Sequence, residues 1–194
     1  KPGFVDGMKR SMSGKDSRQA LLNAEYLLAL DPHNAGYAAG VLAAIQSFFL
    51  LVLVLDACGP QGQTTGLVNS SSGRRLSYAE YGDTVESLAR GLIAAGVRPG
   101  DVVAIFLLNS WEFCVAFHAT TLAGAIPTLL NPTYREREVR YQLENSGAVL
   151  LITDGANLEG INLGGLPNLR RVYVTRQPAA GAESFAALLN PVTA

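Results

Sequence analysis

Residues 76–108 read LSYAEYGDTVESLARGLIAAGVRPGDVVAIFLL: a helix, a stop and a strand in direct succession. Ser77 and Glu80 have the spacing of a capping box, in which the hydroxyl bonds the third helical N–H and the carboxylate reaches back. Apolar side chains then recur at Tyr78, Tyr81, Val85, Leu88 and Leu92, in steps of three and four that lie on one helical face. Gly96 supplies a left-handed stop, and Pro99 follows it. Asp101 opens the run Val102 to Leu108, which is apolar on both faces and suits a central parallel strand.

The same alternation continues downstream. Asn109-Ser110 caps a helix expected over 111–123, where Ala116, Thr120 and Gly124 form a stripe of small residues able to approach a sheet closely. A strand is expected over 126–130, with Pro127 placing its start at a sheet margin. Asn131-Pro132 turns the chain, and Thr133 with Glu136 reads as a second capping box for a helix over 134–146, stopped by Gly147. Strands follow at 148–153 and 169–175, separated by a glycine-rich loop, and a short helix at 183–189. Helices alternating with strands across short Gly or Pro turns predict an α/β fold with a mostly parallel sheet and flanking helices. Ligands of such sheets sit beyond the carboxyl ends of the strands, here Asn109, Asn131, Asp154 and Arg176.

Upstream the pattern differs. Residues 1–46 are polar, then helical: a helix over 17–30 ends at Asp31-Pro32-His33-Asn34, and a second is expected over 35–46. Ala20, Leu28 and Pro32 match one tetratricopeptide-like hairpin, but a single such repeat cannot bury a core, and an ordinary helical hairpin is the favoured reading. Residues 35–55 carry no charge. As a helix they would span about 31 Å, close to a bilayer core. Lys9, Arg10, Lys15 and Arg18 precede this run, and Asp56-Ala57-Cys58 imitates a lipoprotein cleavage box. The Gln46-Ser47 break and the poorly suited Asp56 favour apolar surface buried in protein. Residues 47–75 read as an apolar run and a Gly/Ser-rich linker. Within it, Gly62-Gln63-Thr64-Thr65-Gly66 imitates a phosphate loop but lacks the following lysine, so a plain loop is expected.

Composition narrows the chemistry. A formal net charge of −1 provides no field to attract nucleic acid. Two cysteines, Cys58 and Cys114, are too few for a disulfide framework or a zinc site. The histidines are His33, in a turn, and His118, one residue past Phe117, which is expected to face the core; no serine or carboxylate is spaced to activate His118. Arg135, Glu136, Arg137, Glu138, Arg140 and Glu144 read as a solvated helix face with Glu136 and Arg140 in the favourable i, i+4 order. Asp154 reads as a turn residue. The residues themselves assign no catalytic, cofactor-binding or metal-binding position.

From Leu76 onward the chain resembles the adenylate-forming (AMP-dependent) synthetase and ligase family. The resemblance rests on Leu76-Ser77-Tyr78-Ala79-Glu80, Leu88-Ala89-Arg90-Gly91-Leu92, Gly96-Val97-Arg98-Pro99-Gly100-Asp101, Leu122-Ala123-Gly124-Ala125-Ile126-Pro127 and Tyr141-Gln142-Leu143-Glu144-Asn145-Ser146-Gly147, five motifs in order. Leu130-Asn131-Pro132 is more similar to acyl-CoA ligases than to peptide-synthetase domains. The resemblance implies that 76–194 is part of a ligase domain whose parent joins a small-molecule carboxylic acid to coenzyme A through an acyl-adenylate, using ATP and Mg. It further implies a cytoplasmic location; the alternative, membrane association, comes from the uncharged run at 35–55 rather than from the resemblance. The family's phosphate loop and catalytic lysine match nothing in this chain, which is therefore expected to be inactive alone. The competing expectation is a non-enzymatic helical interaction module fused to a vestigial half-domain.

Overall fold

The computed structural model describes residues 63–69 and 73–190. The helical hairpin expected over 1–46 and the apolar run to residue 55 lie outside these residues. Two strands come first, β1 (Thr65–Val68) and β2 (Arg75–Ser77), followed by α1 (Tyr78–Ala94), β3 (Val102–Phe106), α2 (Trp111–Leu122), β4 (Ile126–Leu129) and α3 (Glu136–Ser146). The chain continues with β5 (Leu150–Thr153), a 3-10 turn (Gly155–Leu158), β6 (Arg171–Val174), β7 (Glu183–Ser184) and α4 (Phe185–Leu189).

The main sheet has the order β4-β3-β5-β6-β7 and every pairing in it is parallel. This is the architecture expected from the sequence. β3 has neighbours on both sides and Val103 to Phe106 are buried, as a strand apolar on both faces requires. Ala104 and Phe106 cluster with Leu151 of β5 and with Val139 and Leu143 of α3, so α3 covers one face. Strand alternation turns Val103 and Ile105 to the other face, which α2 covers in contact with β3 and β4, with α1 packed on α2. Pro127 sits on β4, the sheet margin.

Local signals behave as their chemistry dictates. Glu80 N–H donates to Ser77 Oγ at 3.2 Å and Ser77 N–H to Glu80 Oε2 at 2.8 Å, which completes the capping box of α1. The Ser77 backbone N–H holds the Glu80 carboxyl below its ordinary range. Gly96 takes φ +91° and closes α1. Ser110 Oγ accepts from Phe113 N–H and starts α2.

Four expectations are corrected. The second capping box does not form. Asn131 Oδ1 accepts from both the N–H and the hydroxyl of Thr133, so the hydroxyl is taken and α3 begins at Glu136. Glu138 instead reaches back to Arg135 N–H at 3.1 Å. On α2, Phe117 is half-buried, while Val115, Ala116, Ala119 and Thr120 are fully enclosed, because a helix pressed between α1 and the sheet has room for small side chains only. Of the loop expected at 62–66, Gly62 lies outside the described residues, Gln63 and Thr64 do turn, and Thr65 and Gly66 instead enter β1, which pairs antiparallel with β2 and packs on α1. Gly66 falls at its irregular register, where a Cβ would lie 2.7 Å from the Tyr78 ring. Finally, the helix expected over 183–189 begins at Phe185, because Glu183–Ser184 join the sheet beside Tyr173 and Val174. Among the described residues no helix is long and apolar enough to cross a membrane.

α4 closes over α1 and α2. Ser87 Oγ donates to the Leu189 carbonyl, and the Phe185 and Trp111 rings meet edge-on with centroids 6.2 Å apart. The Arg74 guanidinium of the turn before β2 lies 4.1 Å from the Trp111 ring centre. Gly91 makes the approach possible, since a Cβ there would sit 1.8 Å from the Leu188 carbonyl oxygen. Gly91→Ala is therefore expected to displace α4 and to destabilise the chain by about 1–3 kcal/mol, the usual range for overpacking. Trp111 is the sole tryptophan, so its emission should shift to the red. A melt and emission spectrum matching wild type would contradict the close contact.

Candidate functional site

The carboxyl edge of the sheet carries the four strand-end residues named by the sequence. β5 and β6 are adjacent, and Asp154 and Arg176 meet there, with Arg176 Nε 3.0 Å from Asp154 Oδ2. Asp154 also caps the 3-10 turn, its Oδ1 accepting from Ala156 N–H at 3.3 Å, so its expected turn role holds. Asn131 is occupied by Thr133, and Asn109 is exposed after β3. The four therefore make one ion pair and two local turns.

The chain leaves β3 towards β4 on one side and leaves β5 towards β6 on the other. The crevice between β3 and β5 is thus the point where connections diverge, the usual ligand position in open α/β sheets. Here that crevice holds the chain's own donors. The Phe106 carbonyl accepts from Thr153 Oγ1 at 2.8 Å and from Asn157 Nδ2 at 2.9 Å. Sequence reading passed over both residues. The only available signal was a lone hydroxyl, Thr153, ending an otherwise aliphatic strand.

Polar side chains elsewhere are spent on packing. His118 Nδ1 meets the Tyr81 hydroxyl at 2.5 Å, with the rings edge-on, and this contact joins α2 to α1. Burial pushes the His118 imidazole below its ordinary value. It also pushes the Cys114 thiol up, away from the reactive thiolate. Glu136 and Arg140 do not form the expected solvated pair. Arg140 donates to the carbonyls of Asn162 and Gly164, and Glu136 Oε1 accepts from Asn162 N–H, so both tie α3 to the glycine-rich loop.

The profile of the AMP-binding enzyme family matches residues 56–190, more than half of the chain. The chain belongs to the AMP-binding enzyme family. It is 38% identical over 99 residues to 4-coumarate–CoA ligase 3 of Arabidopsis thaliana, which is 50% of this chain and 18% of that protein. It is 39% identical over 97 residues to triostin synthetase I of Streptomyces triostinicus, again 50% of this chain and 18% of that protein. Among solved structures, the anthranilate CoA ligase AuaEII in complex with anthranoyl-AMP superposes with a TM-score of 0.66 at 26% identity, over 73% of this chain and 28% of that one. The long-chain-fatty-acid–CoA ligase FadD1 of Archaeoglobus fulgidus shares the fold, with a TM-score of 0.65 at 22% identity over 72% of this chain and 29% of that one. The chain thus spans about a fifth of the length of these curated relatives.

The AMP-binding family implies ATP, magnesium and coenzyme A for its full-length members. The three lysines, Lys1, Lys9 and Lys15, all fall outside the described residues. Among the described residues no three His, Cys, Asp or Glu side chains group to hold a metal ion. At the crevice that would face a ligand, Thr153 and Asn157 both donate to the Phe106 carbonyl.

The His118 contact has a pH consequence. Its folded pKa lies below the ordinary 6.5, so across the interval between the two values the unfolded chain binds more protons. Stability is expected to rise with pH through that interval and to be lost as pH falls from 6.5 to the folded value. Thermal melts between pH 5 and pH 8 read this directly. The slope should flatten in His118→Phe, and Tyr81→Phe should lower the melting temperature even at pH 8. An identical pH slope in His118→Phe would contradict the assignment.

Proposed function

We propose that this chain is the N-terminal portion of an AMP-forming acyl-CoA ligase acting on an aromatic carboxylic acid, and that it forms no acyl-adenylate by itself. The observation carrying the reading is the match of 56–190 to the AMP-binding family profile, together with relatives at 32–40% identity over 87–108 residues, several of them 4-coumarate–CoA ligases. Their names supply the aromatic acid; fatty acids are the alternative substrate class. The location that goes with it is the cytoplasm, with no nucleic acid among the partners.

Inactivity follows from electrostatics. Adenylation needs donors around the triphosphate, a magnesium ion, and a positive charge beside the phosphorus under attack. Past Thr175 the chain offers Arg176, Gln177, Pro178 and Gly181, then an Ala-rich helix, and no lysine. Each missing stabiliser is worth about 3–4 kcal/mol, so losing several lowers the rate by many orders of magnitude.

The test is acid-dependent exchange of pyrophosphate into ATP across coumarate, benzoate and fatty acids. The chain alone should match a no-protein control, and exchange that persists after removal of contaminating ligase would overturn the reading. If the reading frame runs on past Ala194, a Ser/Thr/Gly-rich loop ending in Lys-Gly is expected within a few tens of residues. The extended protein should then show exchange.

A further inference from the structure

The two margins of the main sheet are finished differently. β7, at one margin, is two residues long and carries Glu183, and a short, charged edge offers little to an added strand. β4, at the other margin, has four residues, Ile-Pro-Thr-Leu, and no charge. Among the described residues it pairs with β3 alone. Leu129, at its end, is 44% exposed. By length and composition β4 is the edge on which another strand could pair.

The hydrogen bonds say which atoms that edge presents. Ile126 N–H donates to the Asp101 carbonyl at 2.8 Å and Leu130 N–H to the Ile105 carbonyl at 2.9 Å, so these residues turn their N–H groups towards β3. Alternation along the strand turns the backbone groups of Pro127 and Leu129 outward. Pro127 has no N–H to offer. The Leu129 carbonyl accepts from Gln142 Nε2 at 3.0 Å, and the same nitrogen donates to Thr128 Oγ1 at 3.0 Å. Both amide hydrogens of Gln142 are therefore spent on β4. In an antiparallel ladder each bonded residue gives its N–H and its carbonyl to the same partner residue. Neither outward residue of β4 has both groups to give. An exposed bond of this kind adds little to stability once the order it imposes on a long side chain is counted. Stability thus leaves the reach of Gln142 from α3 to the sheet margin unexplained.

We propose that Pro127 and Gln142 together close the β4 edge against a second copy of this chain. Two identical edges meet most simply about a two-fold axis normal to the sheet, which sets β4 antiparallel to its own copy. That pairing would run two sheets into one, and it is the pairing these two residues block. Proline removes the donor of one outward residue, and the glutamine occupies the acceptor of the other. The inference concerns association of the fold unit and stands apart from the ligase reading.

The test restores the missing groups in the full 194-residue chain. Gln142→Ala frees the Leu129 carbonyl, and Pro127→Val supplies the absent N–H on a residue suited to a strand. Self-association is read by sedimentation velocity over a concentration series, and the edge itself by hydrogen exchange of residues 126–130. The double variant is expected to associate about tenfold more tightly than the unsubstituted chain, with exchange at the Leu129 amide slowed as association proceeds. Gln142→Ala alone frees one outward residue and is expected to gain about threefold, with an unchanged melting temperature. It judges the proposal by itself if Pro127→Val unfolds the chain. Adding Leu129→Lys to either variant should reverse the gain, because a charge blunts an edge. Equal association in all these chains would sink the proposal, as would a gain that leaves the Leu129 amide exchanging freely. Slow exchange at Leu129 in the unsubstituted chain would sink it too, since the edge would then already be paired.

Discussion

Val102–Phe106 is a strand that must be covered on both faces and paired on both edges, and the rest of the unit is arranged to do this. Ala104 and Phe106 need a helix on one side, which α3 supplies through Val139 and Leu143. Val103 and Ile105 need another on the opposite side, which α2 supplies, and α2 in turn is covered by α1. Parallel neighbours β4 and β5 satisfy the backbone, and the crossover helices they require are the same ones that cover the faces. Burial of both helical faces explains why α2 is lined with Ala and Thr where it touches the sheet. Larger side chains would hold it off, and the aromatic residues are placed at its ends and flank instead.

The two ends of the sheet are treated differently. At the amino end, Asp101 Oδ2 accepts from Arg98 N–H and from Arg170, while the Asp101 carbonyl accepts from Ile126 N–H, so one residue joins the turn before β3, the start of β4 and the approach to β6. At the carboxyl end, Thr153 and Asn157 donate to the Phe106 carbonyl, Leu108 and Leu129 remain exposed, and the Glu112 Oε2 is buried without a hydrogen bond. The matched segment belongs to the AMP-binding enzyme family and carries a parallel-sheet portion of that family's architecture.

What the sequence by itself determined is the set of elements whose cause is local or periodic. Ser77 and Glu80, Gly96, Ser110 and Gly147 act within one turn of themselves, so the start and stop of α1, the start of α2 and the stop of α3 follow from neighbours in the chain. The doubly apolar run at Val102 announced a central strand because no other environment covers both its faces. Pro127 marked the margin of the sheet because it cannot donate to a ladder. What only the tertiary structure decided depends on residues brought together from far along the chain. Thr133 lost its capping role to Asn131, Glu136 and Arg140 turned from each other to the loop at Asn162, and β1 formed because β2 and α1 gave an exposed, glycine-containing tetrapeptide something to pair with. The Tyr81–His118 contact spans 37 residues, and the Glu112 oxygen is orphaned by packing alone. A side chain that can bond to several groups takes the one that folding brings within reach, and sequence spacing specifies only those that are already near.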